Sequence, residues 1–158
     1  HTNPAIFAPL LHVPLFIFGP GVTQREDIFT PTSSLDLLPT LAQLAGRPIP
    51  DWAEGEVLPW FRTTPTNPDR SIYGINARHN DKFKPITHAS ISMLKGSYRL
   101  SAYLGYPELN GETRYELYNL ANDPHELEDV YAVKKQIASE MVSELNDKLE
   151  EANRPYQR

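Results

Sequence analysis

Cysteine is absent from the 158 residues, which excludes disulfides and thiolate metal centres within this chain and leaves its compartment open. A long apolar run is missing too: the longest fits a strand, well short of the ~20 residues a membrane-spanning helix needs. Positive charge is in deficit, with 15 Lys and Arg against 20 Asp and Glu and a formal net charge of −5. That balance argues against a nucleic-acid-binding surface, since phosphate binding wants clustered Lys and Arg, so nucleic acid is not an expected partner. The chain opens at His1 with neither an initiator Met nor a signal-peptide pattern. Repeats and low-complexity tracts are lacking as well.

What is present is enough for a core. The length suits one domain, and an apolar content of 40 % is that of a folded protein even with 15 prolines, which point to many loops. The organising stretch runs from His12 to Gly46. Leu15 to Phe18 are apolar without a break, the pattern of a strand covered on both faces in an α/β sheet. A helix follows, with Asp36 as its cap, Pro39 in the first turn, Leu38, Leu41, Ala42 and Ala45 on one apolar face, and Gly46 just past its end. A doubly covered strand needs neighbours, and the 14 residues before Leu15 cannot supply them. The expectation is the end of a larger α/β protein.

Residues 47–70 are Pro-rich and read as a surface excursion, with Trp52, Val57, Leu58, Trp60 and Phe61 expected to pin it to the body. From Arg70 the period becomes two. Ser71 to Arg78 is a candidate strand. Ala89 to Leu94 alternates, with Ile91 and Met93 inward and Ser90 and Ser92 outward. After a turn at Lys95-Gly96, Ser97 to Leu104 places Tyr98, Leu100, Ala102 and Leu104 on one face, and Tyr115 to Leu120 is the last strand. The cover for this antiparallel sheet is a helix over Ala132 to Asn153, whose Val133, Ile137, Met141, Leu145 and Leu149 recur every four residues. The fold class is α/β running into α+β, with residues 1–69 as the last strand–helix unit and excursion of an α/β domain and 70–158 as a C-terminal subdomain.

Two motifs carry a family resemblance. His12-Val13-Pro14-Leu15-Phe16-Ile17-Phe18-Gly19-Pro20-Gly21-Val22, followed by Ser34-Leu35-Asp36-Leu37-Leu38-Pro39-Thr40-Leu41 and Leu44-Ala45-Gly46, resembles the C-terminal third of sulfatases, within the alkaline phosphatase superfamily. Tyr115-Glu116-Leu117-Tyr118-Asn119-Leu120-Ala121-Asn122-Asp123-Pro124-His125-Glu126 is similar to the segment that precedes the last sulfatase helix. The likeness spans residues 10–61 and 95–150. It implies a parent enzyme that cleaves sulfate esters with a formylglycine and a divalent metal, usually Ca2+. This chain has no Cys/Ser-x-Pro-x-Arg and no Asp-His-Gly or Asp-Asn-Gly. Sulfate ester cleavage needs an activated nucleophile and a cation on the developing charge, so the chain alone is expected to be inert: a C-terminal fragment whose partner is a missing N-terminal catalytic domain. Same-superfamily alternatives are a phosphodiester or phosphonate monoester hydrolase or a phosphoethanolamine transferase. A different-class alternative is a non-catalytic interaction module.

By the same resemblance, His1 is the one residue carried over to catalysis, since sulfatases place a Lys or His upstream of the Val-Pro-Leu segment. The competing reading is an ordinary loop histidine. His12, at the strand entrance, is structural. Arg78, His79, Lys82, Lys84 and His88 form a basic cluster in an acidic chain, and His79 and Lys82 are substrate-binding candidates at the mouth of a site for anions, set against a solvated loop. Asp123-Pro124-His125-Glu126 reads as a helix cap rather than a metal site, and no metal ligands are assigned. The substrate class is a sulfated or phosphorylated small molecule or glycan. A periplasmic or membrane-tethered parent fits the family, and separation from its neighbours should expose the Leu10–Phe18 region to self-association.

Overall fold

The computed structural model describes residues 6, 8–19, 24–63, 65, 67, 69–77 and 80–157. They fall into two compact units, one of residues 1–13 and 73–158, the other of residues 14–72.

The first unit is built on a four-stranded sheet in the order β1 (Ser71–Asn76), β2 (Ala89–Lys95), β3 (Tyr98–Leu104) and β4 (Arg114–Asn119). The antiparallel registers pair Met93 with Leu100 and Leu100 with Leu117, so alternate residues of three strands share one face. Gly96, at φ +55°, supplies the left-handed backbone of the β2–β3 hairpin. That shared face is covered by helix α3 (Lys135–Asn153). Ala89, Ile91, Met93, Leu100, Ala102 and Leu117 pack with Ala138, Met141 and Leu145 as one core. A short N-terminal helix, α1 (Ala8–Leu11), brings Leu11 so close to Gly74 of β1 that a Cβ there would lie 2.4 Å from Leu11 Cδ2.

Several details differ from the sequence reading. Helix α3 begins at Lys135 rather than Ala132, because the amides of Val133 and Lys134 turn back onto the Val130 carbonyl; Val133 is left exposed and Val130 takes a place beside the core. Strand β1 ends at Asn76, short of Arg78. Ser90 and Ser92 do point away from α3, yet each is only 1 % exposed. The second face of the sheet is therefore polar and buried rather than wet. The Asp123 segment caps no helix: the Glu126 amide bonds the Asp123 carbonyl in a turn (3.2 Å), the Asp123 carboxylate accepts from the Glu128 amide (2.9 Å), and Glu126 sits at φ +57°.

In the second unit, a 3-10 turn at Ser34–Asp36 leads into helix α2 (Leu37–Leu44). Ser33 caps the 3-10 turn, and Asp36, at the N-cap position of α2, makes no side-chain capping bond to that helix. The Ser33 hydroxyl accepts from the Leu35 amide, and the Asp36 carboxylate reaches back to the Ser33 amide, a reciprocal capping box. Gly46 takes φ +62° beyond the helix end. Leu15 to Phe18 form no strand among the described residues, for no neighbouring strand is there to bond their backbone. Phe16 is 74 % and Phe18 87 % exposed, and Leu38 and Leu41 of α2 face solvent too. The Pro-rich excursion is held by one buried apolar residue, Leu58, and by polar clips, while Trp52 is exposed.

Candidate functional site

Three polar clusters could carry chemistry. In residues 14–72, Asp36 is the hub. Its carboxylate accepts two bonds from the Arg70 guanidinium (2.9 and 2.5 Å) and one each from the amides of Ser33 (2.8 Å) and Glu56 (2.9 Å). Burial works to raise its pKa, but the hydrogen bonds from Arg70 and the two amides outweigh that and hold the carboxyl below the ordinary carboxylate range. Glu56 pairs in turn with Arg62, whose Nε donates to the Val57 carbonyl (3.0 Å). Thr40 Oγ1 donates to the Asp36 carbonyl (2.6 Å) and accepts from the Leu58 amide (2.9 Å). The Asp36 carboxylate and the Thr40 hydroxyl are thus engaged by the backbone and by a fixed counter-charge. The hub fastens residues 47–70 to α2.

The polar face of the sheet is the second cluster. Arg99 and Glu126 form a buried ion pair at 2.6 Å. The hydroxyls of Tyr103 and Tyr118 both donate to Glu116 Oε2 (2.9 and 3.0 Å). Burial first, then those bonds to the carboxylate, push both phenols above their ordinary value, so they stay protonated donors. Ser90 Oγ lies 2.7 Å from Tyr106 OH, and the His88 ring meets Tyr106 edge-on, centroids 4.4 Å apart. A nucleophilic Ser beside a His would suggest acyl or sulfuryl transfer, but Ser90 is sealed from any substrate.

The third is the loop between β1 and β2, where sequence placed the basic cluster. Asn80 organises it: Oδ1 accepts from the amides of Thr87 (2.9 Å) and His88 (3.0 Å), and Nδ2 donates to the Ala77 carbonyl (3.0 Å) and the His88 carbonyl. Lys82 stands exposed at the tip, and Lys84 is 3.6 Å from Asp81. His1, Arg78 and His79 lie outside the described residues. The residue that sequence reasoning missed is Phe83, 84 % exposed at φ +61° between the two lysines. A dihedral of that sign leaves no mark in the amino-acid pattern.

Among the described residues, no group of three or more His, Asp or Glu converges as a donor set for a divalent cation. Nor does the sequence hold a cysteine, or a Ser-x-Pro-x-Arg segment, from which a formylglycine could be made. The described residues therefore do not fit the metal and formylglycine that the resemblance implies.

Residues 4–155 match the family described as N-sulphoglucosamine sulphohydrolase, C-terminal. Among curated proteins, the chain is 30 % identical over 138 residues to Arylsulfatase K of Xenopus laevis and 24 % identical over 147 residues to Arylsulfatase K of Bos taurus; each match covers 85 % of this chain and 25 % of the relative. Among solved structures it is similar to Ps i-CgsB (TM-score 0.54, 26 % identity, 75 % of this chain and 24 % of that one). It is also similar to BT4656, solved with its substrate D-glucosamine-2-N,6-O-disulfate (TM-score 0.54, 17 % identity, 78 % and 25 %). The chain thus spans about a quarter of the length of the relatives it matches. The four-stranded antiparallel sheet under a long terminal helix is the shared fold, and with the match running through nearly the whole sequence, the chain belongs to the C-terminal family of N-sulphoglucosamine sulphohydrolase, a sulfatase portion.

Proposed function

We propose that this chain is the C-terminal part of a sulfuric ester hydrolase whose nucleophile and metal ligands reside in the remainder of a longer protein. The observation that carries this reading is the family match over residues 4–155, in a chain without a candidate reactive centre among its described residues. Formylglycine and Ca2+ are assigned to the absent portion, since sulfate ester hydrolysis needs a strong nucleophile and a cation against the charge that develops on the sulfate oxygens.

Within that enzyme, the role of this chain is to complete and shape the site. The exposed apolar residues Leu15, Phe16, Ile17 and Phe18 and the outer face of α2 are the surface on which the catalytic portion packs, and a bare apolar strip of this kind also favours self-association. His79 and Lys82 lie on the loop that draws anionic substrate toward the site, and His1 contacts the sulfate or its leaving group. The parent's substrate is a sulfated small molecule or glycan, as the substrate bound by BT4656 suggests. The test is a hydrolysis panel with the longer protein: sulfate release from aryl and sugar sulfates is expected, whereas turnover confined to phosphodiesters or phosphonate monoesters would overturn the assignment.

A further inference from the structure

The β1–β2 loop has an unusual economy. Both of its legs are fixed by buried or half-buried amide side chains. Asn80 braces the tip's base with the four bonds described above, and Asn153 at the end of α3 takes both backbone groups of Ile86, accepting from its amide (2.7 Å) and donating to its carbonyl (3.2 Å). Ile86 itself packs beside the core. Between these anchors the four residues Asp81-Lys82-Phe83-Lys84 are all exposed.

At the centre of that tip is Phe83. A bulky residue at φ +61° is strained, and strain of this sort persists only where the surroundings impose it. Glu126, the comparable case at φ +57°, is compensated by its buried pair with Arg99. Phe83 gains nothing similar: 84 % of it faces water. Its strain and its exposure both run against stability, while the two asparagines hold the conformation that produces them. Among the described residues Lys82 has no ion-pair partner, and Lys84 has only the long, solvated contact to Asp81.

We propose that this tip is a saccharide-binding site, in which the face of Phe83 stacks on a sugar ring and Lys82 and Lys84 pair with its sulfate groups. An aromatic face offers apolar area and a π-surface at little cost in rotamer freedom, and ligand sites combine such a surface with a few polar groups that fix orientation. Lys82 and Lys84, on either side of Phe83 in the sequence, supply the charge complementarity for an anionic sugar rather than a neutral one. The ligand class rests on the hydrolase reading above; the site itself rests on the loop.

The test is binding of the 158-residue chain to a heparin-derived sulfated hexasaccharide and to its desulfated, N-acetylated counterpart, measured by titration calorimetry alongside thermal melting. Phe83→Ala should weaken binding of the sulfated probe by about tenfold or more and Phe83→Trp should preserve it within about threefold. Lys82→Ala should reduce the preference for the sulfated probe and flatten the dependence on salt. Phe83→Gly, which relieves the dihedral, should lose binding while melting no lower than the parent chain. Unchanged affinity in Phe83→Ala overturns the proposal, as does a marked fall in melting temperature in Phe83→Gly, which would make the ring structural. Should Phe83→Ala weaken association with a separately produced catalytic portion and leave the saccharide untouched, the tip is a protein contact and the proposal fails. A longer protein that releases no sulfate, with Phe83-dependent binding intact, removes the hydrolase reading and leaves the site standing.

Discussion

Arg99 of β3 and Glu126 of the turn after β4 meet at 2.6 Å with both side chains almost wholly out of water. The pair stitches the loop that leads to α3 onto the polar face of the sheet, and it holds Glu126 in the left-handed region. Removing one partner strands the other charge in a low-dielectric setting. Arg99→Met or Glu126→Met alone should each cost about 3–5 kcal/mol, and the double substitution should recover much of that loss. Denaturant melts of the three variants check it; single variants within about 1 kcal/mol of the parent would mean that water reaches the pair.

Asp36 sets the acid response of residues 14–72. Its folded pKa lies below the unfolded value of about 3.9, so the unfolded chain takes up the proton more readily. Its stabilising contribution is complete above about pH 4 and declines as pH falls through the folded value. Amide hydrogen exchange at Ser33 and Glu56, the two amides it receives, should accelerate over that interval. Asp36→Asn should speed the same exchange at neutral pH, leave Arg70 with only its longer pair to Glu56 (3.9 Å), and remove the acid step.

Gly55 is a steric requirement. A Cβ there would lie 2.0 Å from the Leu35 carbonyl oxygen, a backbone atom of the turn that precedes α2 and so unable to swing aside. Gly55→Ala should destabilise residues 14–72 by about 2–4 kcal/mol. Gly96→Ala is the contrast: nothing lies within 4 Å of its Cβ, and only the φ of +55° opposes it, at about 1 kcal/mol. Urea melts of the two variants should rank them in that order.

The uncovered apolar strip has a signature in solution. Leu15, Phe16, Ile17 and Phe18 stand exposed in sequence order, an arrangement that binds hydrophobic dyes and promotes association. Phe16→Ser with Phe18→Ser should reduce dye fluorescence and shift the sedimentation profile toward monomer, with little change in the far-ultraviolet spectrum, since neither ring belongs to a described strand or helix.

The sheet and its helix were legible because local pattern and tertiary packing agree there. Met93, Leu100 and Leu117 fall at period two, and Met141 and Leu145 at period four, and all five meet in one core. The other face was misread because alternation separates polar from apolar residues without saying whether water reaches the polar set; Ser90 and Ser92 are polar and dry. Glu126 was misplaced for a related reason. Its spacing from Asp123 matches a capping box, but Arg99, 27 residues upstream, competes for the carboxylate and wins. The Asp36–Arg70 hub spans 34 residues, and pairings of that range have no local signature. Of the candidate site, only the charge of the β1–β2 loop could be read; the left-handed turn that presents Phe83 is fixed by Asn80 and Asn153 through backbone bonds that composition does not encode.

The most direct measurement is reconstitution. The region that precedes this family's C-terminal part would be produced as a separate polypeptide, mixed with the 158-residue chain, and sulfate release from an aryl sulfate followed. Activity in the mixture, with none from this chain alone, is the expected result. Sulfate release by the 158 residues on their own, or an assembled pair that releases none, would contradict the division of labour proposed for the two parts.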